Sequence, residues 1–101
     1  MENNIPINYL PSAEQDLIEI VEYIMIDNPP AALHFISEID EKVSMLSYFP
    51  ESGHLPNDSR LKSLNYRILI CGNYLVFYVF KKNEIEIRRI LHGKRKYDFL
   101  L

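Results

Sequence analysis

The sequence predicts an α+β sandwich of two layers. Three observations carry this: two apolar stripes at helical spacing early in the chain, three strand-like runs late in it, and short breaks between them. The expected architecture is an N-terminal edge strand and a two-helix hairpin packed on an antiparallel β-sheet meander, forming one domain over residues 1–101.

Residues Ile5 to Tyr9 alternate apolar and other residues, and Pro6, which cannot donate to a ladder, assigns them to an edge. Ser12 with Gln15 three residues on reads as a capping box opening a helix over about residues 12–26. Leu17, Ile20, Val21 and Ile24 form its apolar stripe, with Glu14, Glu19 and Glu22 on the wet face. Asp27-Asn28-Pro29-Pro30 breaks this helix and starts a second, whose stripe is Ala32, Phe35, Ile36, Ile39, Val43 and Leu46. So short a break makes an antiparallel helix hairpin the simplest packing. Pro50 and Gly53 end the second helix, and residues 51–61 read as a polar loop.

Beyond the loop, Leu64, Tyr66, Ile68 and Ile70 alternate with Asn65 and Arg67 in a half-buried strand. Cys71-Gly72-Asn73 makes a tight turn. Tyr74 to Phe80 is nearly all apolar, as a central strand requires. Lys81-Lys82-Asn83 turns the chain again into a last strand, Ile85 to Leu91. The helix hairpin is the one element expected to cover this meander.

Composition narrows the function classes. A chain of 101 residues, 48% hydrophobic and 25% charged, has the makeup of a soluble globular protein. Its longest apolar stretch, near residues 74–80, is too short to cross a bilayer, and Met1-Glu2-Asn3-Asn4 lacks the basic start of a signal peptide. The one cysteine, Cys71, forms no internal disulfide, which fits a cytoplasmic setting. No metal-ligand cluster, glycine-rich phosphate loop or nucleophile triad is visible, so no cofactor is expected. The net charge of −3 conceals a split. Residues 1–59 hold one basic residue against eleven acidic, a net −10; residues 60–101 hold ten against three, a net +7. Five of the basic residues crowd into positions 88–96, which reads as a basic working edge on an acidic support.

That edge follows the last strand: His92-Gly93-Lys94-Arg95-Lys96-Tyr97. Lys94, Arg95 and Lys96 suit nucleic acid, an acidic target surface or acidic residues of a binding partner, and as a bland reading they are solvated charges. His92 is either an acid–base group or a histidine merely exposed at a strand end. Arg89, alternating with Ile87 and Leu91, should point toward the covered face. There it is an ion-pair partner for a helix carboxylate such as Asp16 or Glu19, or a functional cation. The cost of burying an unpaired arginine favours the first.

Across nearly its whole length the chain resembles the RelE/ParE superfamily of bacterial type II toxins. The resemblance rests on Ala13 and Asp16-Leu17, on Asn28-Pro29-Pro30-Ala31-Ala32, and on Leu46, Pro50 and Gly53. It continues through Tyr74-Leu75-Val76-Phe77-Tyr78, Ile85-Glu86-Ile87 and Arg89-Ile90-Leu91-His92-Gly93-Lys94-Arg95, and closes with Tyr97 and Leu100-Leu101. It implies a growth-inhibiting toxin neutralised by a cognate antitoxin, together forming a toxin–antitoxin hetero-oligomer.

The superfamily divides between RelE-like nucleases that cut messenger RNA in the ribosome and ParE-like poisons of DNA gyrase. Cleavage through the 2′-hydroxyl needs a base, an acid and cations on the phosphate. By resemblance, Arg95 matches the late phosphate-binding arginine of the nucleases, and Arg67 lies where their first strand lysine sits. Arg67, His92 and Arg95 are therefore the catalytic set if the chain is a nuclease. Leu69 and Leu75, however, stand where cations are expected, and Tyr97 is out of register with the late catalytic tyrosine. The expected reading is a ParE-like gyrase poison that contacts its target or antitoxin through Arg89, Lys94, Arg95, Lys96 and Tyr97. The alternatives are a ribosome-dependent mRNA endoribonuclease and a non-toxic relic that only binds its antitoxin.

Overall fold

The computed structural model describes residues 4–94. In order, the chain forms β1 (Ile7–Tyr9), α1 (Pro11–Asp27), α2 (Pro29–Ser44), a 3₁₀ turn (Met45–Ser47), α3 (Ser59–Ser63), β2 (Tyr66–Cys71), β3 (Tyr74–Lys81) and β4 (Glu84–His92). The four strands make one sheet in the order β1-β4-β3-β2. The expected meander β2-β3-β4 is antiparallel, and β1 joins it in parallel with β4, with Ile7 opposite Ile85 and Tyr9 opposite Ile87. Pro6 serves the edge as an acceptor: its carbonyl takes the Ile85 N–H at 3.0 Å.

The expected capping box does not form. Pro11, with its φ preset, occupies the first helical turn, and Leu10 is the cap with no side-chain bond. That places Ser12 inside the helix, where its hydroxyl donates to the Arg88 carbonyl at 2.8 Å. Gln15 donates to Glu19 rather than back to the cap. The second helix starts as its sequence says: Asn28 Oδ1 accepts from Ala31 N at 3.2 Å, and the two prolines follow.

The α2 stripe is buried at Ala32, Phe35, Ile39 and Val43, while Ile36 lies exposed. The α1 stripe is only half-buried; the buried α1 residues are Ala13 and Asp16. Together the two helices cover one face of the sheet, over Val76, Tyr78, Ile85, Ile87 and Ile90.

The opposite face is not bare. Leu61, Tyr66, Ile68, Phe77, Val79 and Leu91 form a second core there, roofed by α3. This corrects the polar loop expected over 51–61: Asp58 caps a helix of five residues by accepting from Arg60 N and Leu61 N, and Leu61 is wholly buried. Two leucines six residues apart, Leu55 and Leu61, in a polar segment show no helical or strand periodicity, so sequence pattern could not reveal it. The all-apolar run of β3 is explained by burial on both sides.

Both hairpin turns have two residues. Lys82 and Asn83 each take positive φ, +53° and +59°, the geometry whose twist matches the flanking strands. At the other hairpin Gly72 supplies φ +59°.

A bulge interrupts the β3–β4 ladder. Phe77 faces Arg89 and Tyr78 faces Ile87, leaving Arg88 as the extra residue. Strict alternation would have kept Ile87, Arg89 and Leu91 on one face. Past the bulge it is Ile90 that joins the helix-side core, and Leu91 packs in the second core. The expected placement of Arg89 by alternation is thereby corrected.

Candidate functional site: the open end of the β3–β4 hairpin

Past the bulge, β4 has run beyond its partner β1, and α1 takes over the exposed edge with side chains. Ser12 satisfies the Arg88 carbonyl, and Asp16 Oδ2 accepts from Ile90 N at 2.9 Å. The same carboxylate grips Arg89 bidentately, Oδ2 to Nε at 2.7 Å and Oδ1 to Nη2 at 2.9 Å. Asp16 is 9% exposed, and its three hydrogen bonds satisfy a charge that would be costly to bury alone. The Asp16 carboxylate raises the Arg89 pKa above its ordinary value, so the guanidinium stays charged. Arg89 thus takes the ion-pair place, bolting α1 to β4.

Arg88, the bulged residue, makes separate contacts. It bonds Glu86 at 2.7 Å and stands 5.6 Å from the centre of the Tyr66 ring.

His92 is the last residue of β4, opposite Tyr74. Its ring packs edge-on against Tyr74 at 5.3 Å, and Tyr74 packs on Phe35 at 5.0 Å, so the imidazole rests on an aromatic column rooted in the core. Nδ1 accepts from Lys94 N at 3.1 Å, which makes it the unprotonated nitrogen in this arrangement. Gly93 N closes the end by donating to Asn73 O at 2.8 Å. Lys94 is exposed; Arg95, Lys96 and Tyr97 lie outside the described residues.

Arg67 is elsewhere. It pairs with Tyr78, whereas His92 pairs with Tyr74. Four residues along β3 separate them by roughly 13 Å, and β3 lies between their strands. Arg67 Nη1 is engaged by the carbonyls of Glu51 and Gly53 at 2.9 and 3.0 Å. It holds a loop, and the structure does not bring it to His92.

Two further surfaces escaped the sequence reading. Between α1 and the end of β3–β4 lies a hollow of about 330 Å³, lined by Asp16, Glu19, Ile20, Tyr23, Tyr74, Ile90 and His92. On the other flank of α1 run two adjoining apolar depressions, of about 500 and 290 Å³, sharing Leu17 and Ile18 and bounded by Tyr9, Val21 and Ile36. Ile18 is 51% exposed and Ile36 42%. The signal was present in composition: α1 carries Ile18, Tyr23, Met25 and Ile26 in addition to its stripe, more apolar residues than one buried face accounts for.

Comparison with known proteins agrees with this fold. The family described as ParE toxin of type II toxin-antitoxin system, parDE, matches residues 7–97. The chain belongs to the ParE toxin family. Among curated proteins, "Putative toxin Y4kP" of Sinorhizobium fredii (strain NBRC 101917 / NGR234) is 29% identical over 85 residues, 84% of each chain. Among solved structures, a chain of the "Chromosomal ParDE TA system from P. aeruginosa" superposes with a TM-score of 0.75 at 20% identity, covering 92% of this chain and all of the other. No helix among the described residues is long and apolar enough to cross a membrane.

Proposed function

We propose that this chain is a cytoplasmic toxin of one domain that inhibits growth by poisoning DNA gyrase, without chemistry of its own, and that a cognate antitoxin neutralises it. The observation carrying this reading is the separation of Arg67 from His92, with Arg67 engaged in carbonyl bonds. A transesterifying nuclease needs its base, acid and phosphate cations around one phosphate. The ParE family match supports the same side of the superfamily. Contact with gyrase runs through the edge that begins at His92 and Lys94 and continues into Arg95, Lys96 and Tyr97.

The apolar trough over Leu17, Ile18, Val21 and Ile36 fits an apolar segment of the antitoxin. Ile18→Lys, at an exposed position, should leave folding intact and weaken the antitoxin complex at least about tenfold by calorimetry.

A short induced-expression pulse in a bacterial host tests the target. Intact messages by primer extension, with supercoiling by purified gyrase inhibited, are the expected result. Codon-spaced cuts with gyrase untouched would move the function to Arg67, His92 and Arg95. Continued growth with neither effect would make the chain an antitoxin-binding relic.

A further inference from the structure

We propose that the hollow between α1 and the end of the β3–β4 hairpin receives an arginine side chain of a protein partner. This rests on the reading of the chain as a toxin held by a protein antitoxin, and it assigns that partner a chemistry at a particular place.

Charge is the first ground. Asp16 and Glu19 line the hollow, and Arg89 is bolted to Asp16. Among the described residues, two carboxylates against one guanidinium leave one negative charge, which Glu19 supplies. Glu19 Oε2 accepts from the neutral Gln15 amide at 2.9 Å, a bond that does not cancel that charge.

The second ground is the walls. Tyr23, 74% exposed, and Tyr74 both border the space, with His92 beyond. Both phenols line the same hollow, and burial, and after it the neighbouring Tyr23 phenol, raises the pKa of Tyr74. Tyr74 is braced between Phe35 and His92 and presents a fixed surface. Ile20 and Ile90 supply apolar lining.

Aromatic rings beside one carboxylate, over an apolar lining, suit a cation that is flat and weakly hydrated and that carries an aliphatic stem. Guanidinium answers all three requirements; ammonium, compact and strongly hydrated, answers them less well. A third ground is continuity. Residues 16, 19, 20 and 23 face the hollow, whereas 17, 18 and 21 face the apolar trough. A partner segment crossing α1 touches both.

The test is an amide NMR titration of the full chain with N-acetyl-arginine methylamide, run beside the lysine and norleucine analogues. Shifts confined to Glu19, Ile20, Tyr23, Tyr74 and His92 are expected, stronger for arginine than for lysine and absent for norleucine. Glu19→Gln should weaken the response up to about fivefold and Tyr23→Ala about three- to thirtyfold, both with the spectrum otherwise native. Equal response to norleucine, or no response to arginine, would overturn the assignment.

Two further arms decide the occupant. In the complex with the cognate antitoxin, the hollow should no longer respond to the probe; an unchanged response sinks the partner as occupant. A response seen only in full-length Arg95→Gln/Lys96→Gln would likewise sink it, and give the hollow to the chain's own cations. None of these readouts depends on gyrase. Failure of the supercoiling assay would therefore remove the proposed target and leave the hollow's assignment standing or falling by itself.

Discussion

The middle of β3, at Tyr78, and its Tyr74 end use similar residues to opposite effect. At Tyr78, the phenol donates to the Pro50 carbonyl and accepts from Gly53 N, both at 2.9 Å, while Arg67 collects two more carbonyls of the same loop. Both side chains there are turned inward to hold a crossing segment. At the Tyr74 end the phenol and imidazole border an open hollow, and Arg89 is fixed by Asp16 of α1. A tyrosine and a cation are structural where a loop crosses them and available where none does. Residue type does not separate the two cases; coverage does.

The comparison can be sharpened first by chemistry. Cys71 sits opposite Tyr74, next to the open end, yet it is 1% exposed and burial pushes its thiol up to about 11. If the hollow ends above a packed core, thiol reagents at pH 8 should modify the native protein at least about a hundredfold more slowly than the unfolded chain. Rapid native modification would mean that the open end reaches the core.

Of the changes compared at these two places, Asp16→Ala should be the most damaging. It removes both Asp16 bonds to Arg89 and leaves the Ile90 N–H without its acceptor, at a cost of about 3 kcal/mol in urea unfolding. A loss below about 1 kcal/mol would show that the bolt is solvated and not structural.

Where the loop crosses, a Cβ on Gly53 would lie 2.6 Å from the Tyr78 hydroxyl, so Gly53→Ala should cost about 2 kcal/mol. Tyr78→Phe, which removes both loop bonds, should cost about 1–2 kcal/mol. Retained stability in both would break the claim that this crossing is locked.

The smallest stability effects belong to the open end. His92→Ala and Lys94→Ala should each shift stability by no more than about 0.5 kcal/mol while reducing toxicity in the expression assay. Unchanged toxicity from a folded double variant would remove this edge from the function.

How much of this was legible follows from the range of the interactions. Helix spacing, proline breaks, hairpin turns and the apolar central strand are local signals, repeated every two or three to four residues. They placed the α2 core at Ala32, Phe35, Ile39 and Val43, and the three late strands, directly from the sequence. The strand count and the α+β class followed from these, and the motif order Ala13, Asp16, Asn28-Pro29-Pro30 through Gly93-Lys94-Arg95 pointed to the toxin superfamily.

Tertiary structure alone decided the rest. The bulge at Arg88 arises from pairing between strands, so no pattern along β4 announced that the faces exchange there. Ser12 carried a true cap signature, but Pro11 outbid it locally and the unpartnered edge of β4 took its hydroxyl. The second core depended on one leucine in a polar loop meeting a face built by residues up to 30 positions away. His92 was legible as a histidine exposed at a strand end, but Arg67 as a loop clamp was not, because it read only as a polar residue alternating on a strand. Sequence specifies which residues can bury or bond. Which of them remain open depends on what crosses above, and that is settled only when the chain has closed on itself.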